Sequence, residues 1–529
     1  MTDRRSFLKG LGGLAAASML GCSEETEPDT LAAFSGPWGA PHPAHEFALL
    51  PESRRPEGVL EVFTLGGMTP WETFYAVPEH GDPARGGSYA GQQWWGFQNP
   101  SNGISVPDWF NTCGGNGDLL LPWSTDSAGR TVNLGPFIHP LRDRPDILRR
   151  MRVWVMAHDV EPHEIGIPLA VTGHRLGNPR MASFGAHVER YFQERAGVGR
   201  TAPHSYSVYM SALRLAAAAK AASQVGLHRA SARPLEIMLS ANSQLPRQLP
   251  RPSVTGYKTE LDTMVQHYAA KYRGRLSVNG ALPRSPGLAD YEFARNAMLN
   301  HEVLTSLLPE SLLSSIDTTL CLPQEVPGGP GNVILDEVDT GLRVAAHLLT
   351  QKTNAARYVQ FMDSGIYTDP AGQGYDAHGA HVIQSAPNLV HMLRSLVNIV
   401  NEPGENNPSK LDLDKHFVML NTEFGRAPFP EVSPRNPHGG GTDHWPWGYV
   451  VVGFGSFVDE ERKGVIGSIG ENGRAEVGFS PSEHRAALML AMGMWPFTEQ
   501  SFAVRDVRGA ETELEAALWL REKVLGYPV

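Results

Sequence analysis

Cysteine, charge and long apolar runs are scarce in this sequence of 529 residues. The three cysteines lie far apart in the sequence and one belongs to the amino-terminal signal region, so we expect no metal site built from thiolates. Charged residues make up 19 % of the chain, and the formal net charge is −11. Because no long basic run offsets this acidic balance, nucleic acid and anionic membrane surfaces are poor partners, and small molecules or proteins fit better. Hydrophobic residues reach 41 %, which is enough for a sizeable core and excludes a disordered chain.

The amino terminus has the pattern of an export signal. Arg4 and Arg5 precede a weakly apolar stretch at 10–21, which is shorter than the roughly 20 residues that a bilayer-spanning helix needs. We therefore expect residues 1–21 to be a twin-arginine signal peptide and the mature protein to be periplasmic. The sequence Met-Leu-Gly-Cys at 19–22 is similar to a lipobox, so Cys22 either carries a lipid that anchors the protein to the membrane or belongs to a cleaved signal.

Strand and helix patterns alternate from about residue 58 onwards, which predicts one α/β domain at 58–529. Apolar runs indicate strands at 59–65, 152–156, 358–362, 417–420 and 449–452. The run at 417–420 is apolar at every position, as in strands that are covered on both faces. Thr69, Pro70 and Glu72 have the pattern of a helix N-terminus with a capping box. Such alternation predicts a mostly parallel or mixed sheet with helices on both sides.

Three segments interrupt this alternation. Residues 22–57 are rich in Pro, Glu and Gly and predict a flexible tether. Residues from about 86 to 135 predict a long aromatic loop region, whose aromatic side chains either stack on carbohydrate or pin the loop to the core. These aromatic residues are Trp94, Trp95, Phe97, Trp109 and Phe110. Residues from about 205 to 350 predict a mostly helical insertion, because apolar residues recur there at helical spacing. The recurring residues are Leu261, Met264, Val265, Tyr268 and Tyr272.

The remaining two cysteines are far apart in the sequence. Cys113 and Cys321 could form one disulfide in an oxidising compartment, or both could remain buried thiols.

Acidic residues and histidines follow several predicted strands. His163 follows the strand at 152–156, Asp376 and His378 follow the strand at 358–362, and Glu423 with Arg426 follows the strand at 417–420. Asp443 and His444 directly precede the strand at 449–452. Ligands of open α/β sheets bind at the carboxyl ends of the strands, and oxygen and imidazole ligands suit zinc, manganese or magnesium. A single Asp-x-His pair also fits a surface turn or a capping pair.

Seven motifs occur in the order typical of the "domain of unknown function 1501" family. They include GGMT at 66–69, RMASFGA at 180–186, GYDAH at 374–378, EFGR at 423–426, GTDH at 441–444 and EHRA at 483–486. The chain resembles this family over about residues 59–509. The family in turn is similar to the alkaline phosphatase-like superfamily, which contains sulfatases and phosphomutases. The resemblance implies a three-layer α/β sandwich with a mostly parallel sheet.

The resemblance also implies a site in which Asp and His residues hold divalent cations and a Ser or Thr attacks the ester. The residues carried over as metal ligands or metal candidates are Asp376, His378, His444, Asp443, Glu423, His163 and His484. Glu423 is either a ligand or an ion-pair partner of Arg426, and Arg426 otherwise binds a substrate oxyanion. Thr69 is either the nucleophile or a helix cap. His163, His438 and His484 could each be a ligand, a proton donor or a structural histidine.

Two positions depart from the patterns of these proteins. Phe424 stands where the superfamily has the His of an Asp-His pair, and Glu72 stands where the family usually has Asp. We expect a metal-dependent hydrolase that cleaves a phosphate or sulfate ester, either a small molecule or one linked to a glycan of the cell envelope. The alternative is a non-catalytic envelope scaffold that retains the fold. Nothing in the sequence selects the ester, the metal or an oligomeric state.

Overall fold

The computed structural model describes most of the chain beyond residue 35. The described residues are 36–80, 106–196, 207–212, 222–223, 234–239, short pieces between 260 and 312, 336–366, 374–379, 381–429, 431–433 and 436–528. All elements below belong to the unit Trp38–Val529. The predicted signal at 1–21, with Cys22, lies outside the described residues. Within them, no helix has the length and apolarity that crossing a membrane requires.

An eight-stranded sheet forms the centre of the fold. Its strands are β1 (Gly58–Thr64), β2 (Met151–Met156), β3 (Ser207–Ala212), β4 (Leu235–Leu239), β5 (Tyr358–Asp363), β6 (His416–Asn421), β7 (Tyr449–Gly455) and β8 (Gly464–Ile466). The order across the sheet is β8-β2-β7-β6-β1-β5-β3-β4. Only β7 runs antiparallel to the others. The mostly parallel α/β sheet predicted from the sequence is therefore confirmed.

Both faces of the sheet are buried. In β6, Val418 and Leu420 belong to one hydrophobic cluster, whereas Phe417 and Met419 belong to a second cluster on the opposite face. This division follows from the period of two along a strand, and it explains why the run at 417–420 has no polar residue. Helices cover each face, so the architecture is that of a three-layer α/β sandwich.

Seven α-helices of at least seven residues are described. They are α1 (Val106–Thr112), α2 (His163–Thr172), α3 (Phe184–Ala196), α4 (Glu337–Leu349), α5 (His381–Asn398), α6 (Pro481–Ala491) and α7 (Glu513–Trp519). Local signals fix several of their ends. Asp336 caps α4, and Ser480 with Glu483 forms a capping box at the start of α6. Helix α2 ends at Gly173, whose φ of 75° suits glycine.

The reversed direction of β7 decides which loops meet. The carboxyl ends of β1, β2, β5 and β6 lie at one edge of the sheet, and β7 begins at that same edge because it runs the opposite way. The residues that precede β7 therefore join the residues that follow the other strands. This topology gathers the predicted polar motifs at one place.

Three predicted segments differ from the structure. The tether predicted at 22–57 is packed from residue 38 onwards, where Trp38 and Leu50 enter the core. The loop predicted at 86–135 contains α1 and a hairpin of Leu121–Thr125 with Thr131–Leu134.

Two of the five aromatic residues of the predicted loop lie in helix α1. Trp109 and Phe110 are buried, so they do not offer a surface for carbohydrate. Trp94, Trp95 and Phe97 lie outside the described residues. Cys113 follows α1 and is disulfide-bonded, while Cys22 and Cys321 lie outside the described residues.

The segment at 205–350 is not simply a helical insertion. It supplies the neighbouring strands β3 and β4 at one end of the sheet, and β3 pairs with β5. Residues 263–268 are helical as predicted, but Met264 and Tyr268 are exposed rather than packed.

The helix predicted to start at Thr69 does not form. Residues 71–74 form turns, in which the N–H groups of Thr73 and Tyr75 both bond to the carbonyl of Pro70. The carbonyls of Glu72 and Thr73 instead accept hydrogen bonds from Phe137 and Gly135. These tertiary bonds replace the bonds that would have continued a helix.

Asp363 ends β5 with a buried carboxyl group. It accepts hydrogen bonds from the Tyr375 hydroxyl at 2.6 Å and from the Gly365 N–H at 2.7 Å. Burial disfavours the charged form more strongly than these hydrogen bonds favour it, and it raises the pKa of Asp363 to about 6.

We predict that Asp363→Asn stabilises the protein at neutral pH. Between pH 3.8 and about 6 the folded state holds a proton that the unfolded state has lost, so the free energy of unfolding falls as pH rises through this window. The variant should gain roughly 2–3 kcal/mol at pH 7 and almost nothing at pH 4. Urea unfolding of both proteins across this pH range measures the difference. An equal difference at every pH would contradict this assignment.

Candidate metal centre

Asp376 lies at the centre of three histidines and one arginine. Its Oδ1 atom is 3.0 Å from His378 Nε2, 3.1 Å from His444 Nε2 and 3.0 Å from Arg426 Nη1. Its Oδ2 atom is 3.3 Å from His163 Nε2. These side chains are separated by as many as 281 positions in sequence, yet they meet at the edge of the sheet where β7 begins.

A glycine allows the Asp376 loop to approach the sheet. Gly66 follows β1 with a φ of +112°, and a Cβ atom there would lie 2.1 Å from the backbone nitrogen of Asp376. Any other residue would push Asp376 away from the strand ends. The N–H of Gly66 also donates to Glu423 Oε1 at 2.9 Å.

The far ring nitrogen of each histidine faces an oxygen. His378 Nδ1 lies 2.7 Å from Glu431 Oε2, and His163 Nδ1 lies 2.9 Å from Glu423 Oε1. His444 Nδ1 lies 2.9 Å from the carbonyl oxygen of Glu161. Carboxylates and carbonyls only accept, so Nδ1 carries a proton in all three rings, and Nε2 either donates a second proton to Asp376 or, in a neutral ring, offers its lone pair to a cation. Metal-binding histidines in proteins are oriented in this way.

Three donor atoms are already spaced for one ion. Asp376 Oδ1, His378 Nε2 and His444 Nε2 are 3.0–3.1 Å apart in every pair. In a tetrahedral zinc site with bonds of about 2.0–2.2 Å, neighbouring ligand atoms are roughly 3.3–3.5 Å apart. A second grouping, of His163 with Asp376 and His444, has all its donor atoms within 4.8 Å of one another. The residues present therefore fit a divalent cation.

Burial and hydrogen bonds shift the pKa values of the three histidines in different directions. Burial opposes the charged ring of His163, but hydrogen bonds to Asp376 and Glu423 raise the pKa of His163 to about 10. The hydrogen bond to Asp376 raises the pKa of His378 as well. For His444, burial, together with the charges of Arg426 and His163, outweighs the same bond and lowers the pKa. His378 Nε2 and His444 Nε2 lie 3.1 Å apart, so either a proton shared between them or a cation bound by both would satisfy this contact.

Searches for known relatives add nothing to this geometry. The chain matches no family model and no curated protein.

Arg426 is fully buried, and its guanidinium is surrounded by acceptors. Nη1 donates to Asp376 Oδ1 and to the carbonyl of Gly66, Nε donates to Thr442 Oγ1, and Nη2 donates to the Thr442 carbonyl. At 0 % side-chain exposure, Arg426 does not present a fork to a substrate anion. It pairs with Asp376 rather than with Glu423, which instead bonds to His163.

The other predicted site residues divide into two groups. Asp443 is exposed beside His444 and forms a second donor group with His444 and His378. The side chain of His438 lies outside the described residues. His484 lies in α6 and packs edge-on against Trp154, where burial and the charge of Arg485 lower its pKa to about 3. His484 therefore does not join the Asp376 cluster.

Thr69 is buried, and its hydroxyl donates to Glu72. Without the predicted helix, the argument that a helix N-terminus activates Thr69 is wrong. Phe424 stacks on the His444 ring at a centroid distance of 4.1 Å. A phenyl ring there supports His444 by packing but adds no ligand.

Sequence reasoning missed Glu431, which orients His378. An isolated glutamate before a glycine-rich segment carries no sequence signal for this role, because its partner precedes it by 53 positions.

Proposed function

We propose that this protein is an exported metal-dependent hydrolase of the alkaline phosphatase-like type. The observation that supports it is the convergence of three histidine Nε2 atoms on the Asp376 carboxylate, with every Nδ1 held by an oxygen. Imidazole-rich donor sets favour zinc or a related transition metal over magnesium. A cation held there would act as a Lewis acid on an ester oxygen and would ease the ionisation of water.

The chain's own residues prepare this site. Asp376, His378 and His444 would hold the cation. His163, whose Nε2 atom faces Asp376 Oδ2, would be the fourth donor. Glu431 and Glu423 keep two of the rings in place, and Arg426 holds the carboxylate. The side chains of His163 and His378 are 28 % and 31 % exposed, so a substrate can reach the cluster from solvent.

The phosphate or sulfate ester class rests on the resemblance to the sulfatase and phosphomutase superfamily. Export rests on the arginine pair and apolar stretch at the amino terminus. The disulfide of Cys113 supports an oxidising compartment.

A second candidate is a metal-binding scaffold without catalysis. Two observations favour it: Thr69 is buried and bonded to Glu72, and Arg426 is fully buried. Neither predicted catalytic side chain therefore faces a substrate. Metal content alone does not separate the two candidates, whereas turnover does.

Zinc loading followed by assays with aryl phosphate and aryl sulfate tests the proposal. We expect one or more tightly bound divalent ions per chain and turnover that chelation abolishes and zinc restores. Thr69→Val should retain turnover within about tenfold, because it loses only a hydrogen bond to Glu72. A loss approaching that of a serine-protease nucleophile, about a millionfold, restored in Thr69→Ser, would make Thr69 the nucleophile. Bound zinc without any turnover would favour the scaffold. A protein that binds no metal would contradict both the hydrolase and the metal-binding scaffold.

A further inference from the structure

A chain of buried polar side chains runs behind Asp376. Asp376 Oδ1 accepts from Arg426 Nη1 at 3.0 Å, and Arg426 Nε donates to Thr442 Oγ1 at 3.2 Å. Thr442 Oγ1 lies 3.1 Å from His381 Nδ1, and His381 Nε2 lies 3.2 Å from Glu72 Oε2. Glu72, His381, Thr442 and Arg426 are each at most 1 % exposed. This row of hydrogen bonds therefore links the buried Glu72 carboxylate to the Asp376 carboxylate at the centre of the site.

The bonds on either side of the Thr442–His381 contact have only one possible direction. Arginine has no acceptor, so Arg426 Nε must donate to the Thr442 hydroxyl oxygen. At the other end, Glu72 only accepts, so His381 Nε2 carries a proton and donates it to Glu72. Between these two bonds, Thr442 Oγ1 and His381 Nδ1 are hydrogen-bonded to each other, and neighbouring bonds in such a row polarise one another.

We propose that Thr442, His381 and Glu72 are positioning residues that hold Arg426, and through it Asp376, in the geometry that binds the cation. This inference rests on the metal centre proposed above. Without these hydrogen bonds, the long Arg426 side chain would be free to change rotamer, and its guanidinium would not be held in one orientation. The Thr442 hydroxyl fixes the plane of the guanidinium together with the carbonyls of Gly66 and Thr442, and this plane decides where Nη1 meets Asp376.

The buried charges alternate along the chain. Glu72 and Asp376 are acidic and Arg426 is basic, and His381 and Thr442 lie between Glu72 and Arg426. A positive guanidinium close to a cation site weakens cation binding unless negative charge compensates it. Asp376 supplies that compensation directly, because its Oδ1 lies 3.0 Å from Arg426 Nη1.

The cleanest test changes Thr442, because neither the charge nor the ligands are altered. Thr442→Val keeps the shape and removes the hydroxyl, whereas Thr442→Ser keeps the hydroxyl. We expect the zinc dissociation constant, measured by competition with a chelator, to rise about tenfold in Thr442→Val and to stay within about twofold of wild type in Thr442→Ser. Unfolding midpoints of the metal-free proteins report any structural damage separately.

Glu72→Gln provides a second variant of nearly equal volume. It keeps an oxygen for His381 and removes the charge, so it should also weaken zinc binding, by about three- to tenfold. Zinc affinities equal to wild type in both Thr442→Val and Glu72→Gln would overturn the positioning role while leaving the metal centre intact. A lower unfolding midpoint without a change in zinc affinity would likewise overturn it. Failure of the wild-type protein itself to bind zinc would overturn the metal centre and this role together.

Discussion

Replacing Asp376 by asparagine should abolish tight zinc binding. Asparagine keeps the size of the side chain and an oxygen for Arg426, but it removes the negative charge that faces three histidines. Loss of an outer hydrogen-bond partner alone costs 10–100-fold in affinity at many metal sites, so loss of this central carboxylate should exceed about a hundredfold. Elemental analysis after dialysis and competition with a chelator measure the effect.

A matched substitution controls for a general loss of negative charge. Asp159 follows β2, is exposed, and pairs with Arg175 rather than with a histidine of the cluster. Asp159→Asn should leave zinc affinity unchanged. Equal affinities for zinc in wild type and Asp376→Asn would show that Asp376 is not a ligand. Equal losses in Asp376→Asn and Asp159→Asn would mean that the effect is one of net charge and not of coordination.

The site could be predicted from sequence to the extent that strand ends could be predicted. His163, Asp376, His378 and His444 each lie within 15 positions of a strand of the sheet that an apolar run forms, and such runs are the strongest local signal in a buried sheet. These residues meet only because β7 runs antiparallel to its neighbours. Neighbouring apolar runs do not reveal strand direction, so the convergence was a prediction and not a deduction.

Arg426 shows where local reasoning about function fails. An arginine three residues after a candidate ligand suggests an anion site, since guanidinium groups bind phosphate and sulfate well. The structure instead buries Arg426 among carbonyls of Gly66 and Thr442, groups that lie 360 and 16 positions away. A sequence does not show which acceptors surround a side chain, so exposure was the missing quantity.

Thr69 shows the same limit for local structure. Its capping-box pattern is a sound signal for a helix, and the identical pattern does start α6 at Ser480. At Thr69 the neighbouring carbonyls bond to residues near 135, and the Glu72 carboxylate bonds to His381. Tertiary hydrogen bonds thus override a local preference whose free energy is only about 1 kcal/mol.

Arg485 joins the site to the core, and its replacement should cause the largest loss of stability. Both Nη atoms lie 2.6 Å from the two oxygens of Glu61, in the middle of β1, and Nε donates to the Ala170 carbonyl of α2 at 2.8 Å. Burial acts against the charged form of Glu61, but Arg485 together with further hydrogen bonds outweighs it and lowers the pKa of Glu61. The pair is therefore charged and fully enclosed.

Arg485→Met should lower the free energy of unfolding by about 3–5 kcal/mol, because it leaves the Glu61 carboxylate buried without its cation. Arg150→Met, which removes one partner of the exposed pair with Asp414, should cost at most about 1 kcal/mol. Denaturant unfolding of both variants in the metal-free state measures the contrast. Equal costs for the two variants would mean that Glu61 is accessible to water.

The double variant Glu61→Gln with Arg485→Met separates the buried charge from the lost packing. It should recover part of the stability that Arg485→Met loses, since no unpaired charge remains, and the effects of the two substitutions on the free energy of unfolding will not be additive.

Arg485→Met also has a consequence for the metal centre, because Ala170 lies in the helix that begins at His163. With Nε absent, α2 loses a tie to the sheet, so Arg485→Met should also weaken zinc binding even though Arg485 contacts no ligand. Unchanged zinc affinity in a destabilised Arg485→Met protein would show that His163 is placed by its own contacts with Asp376 and Glu423 alone.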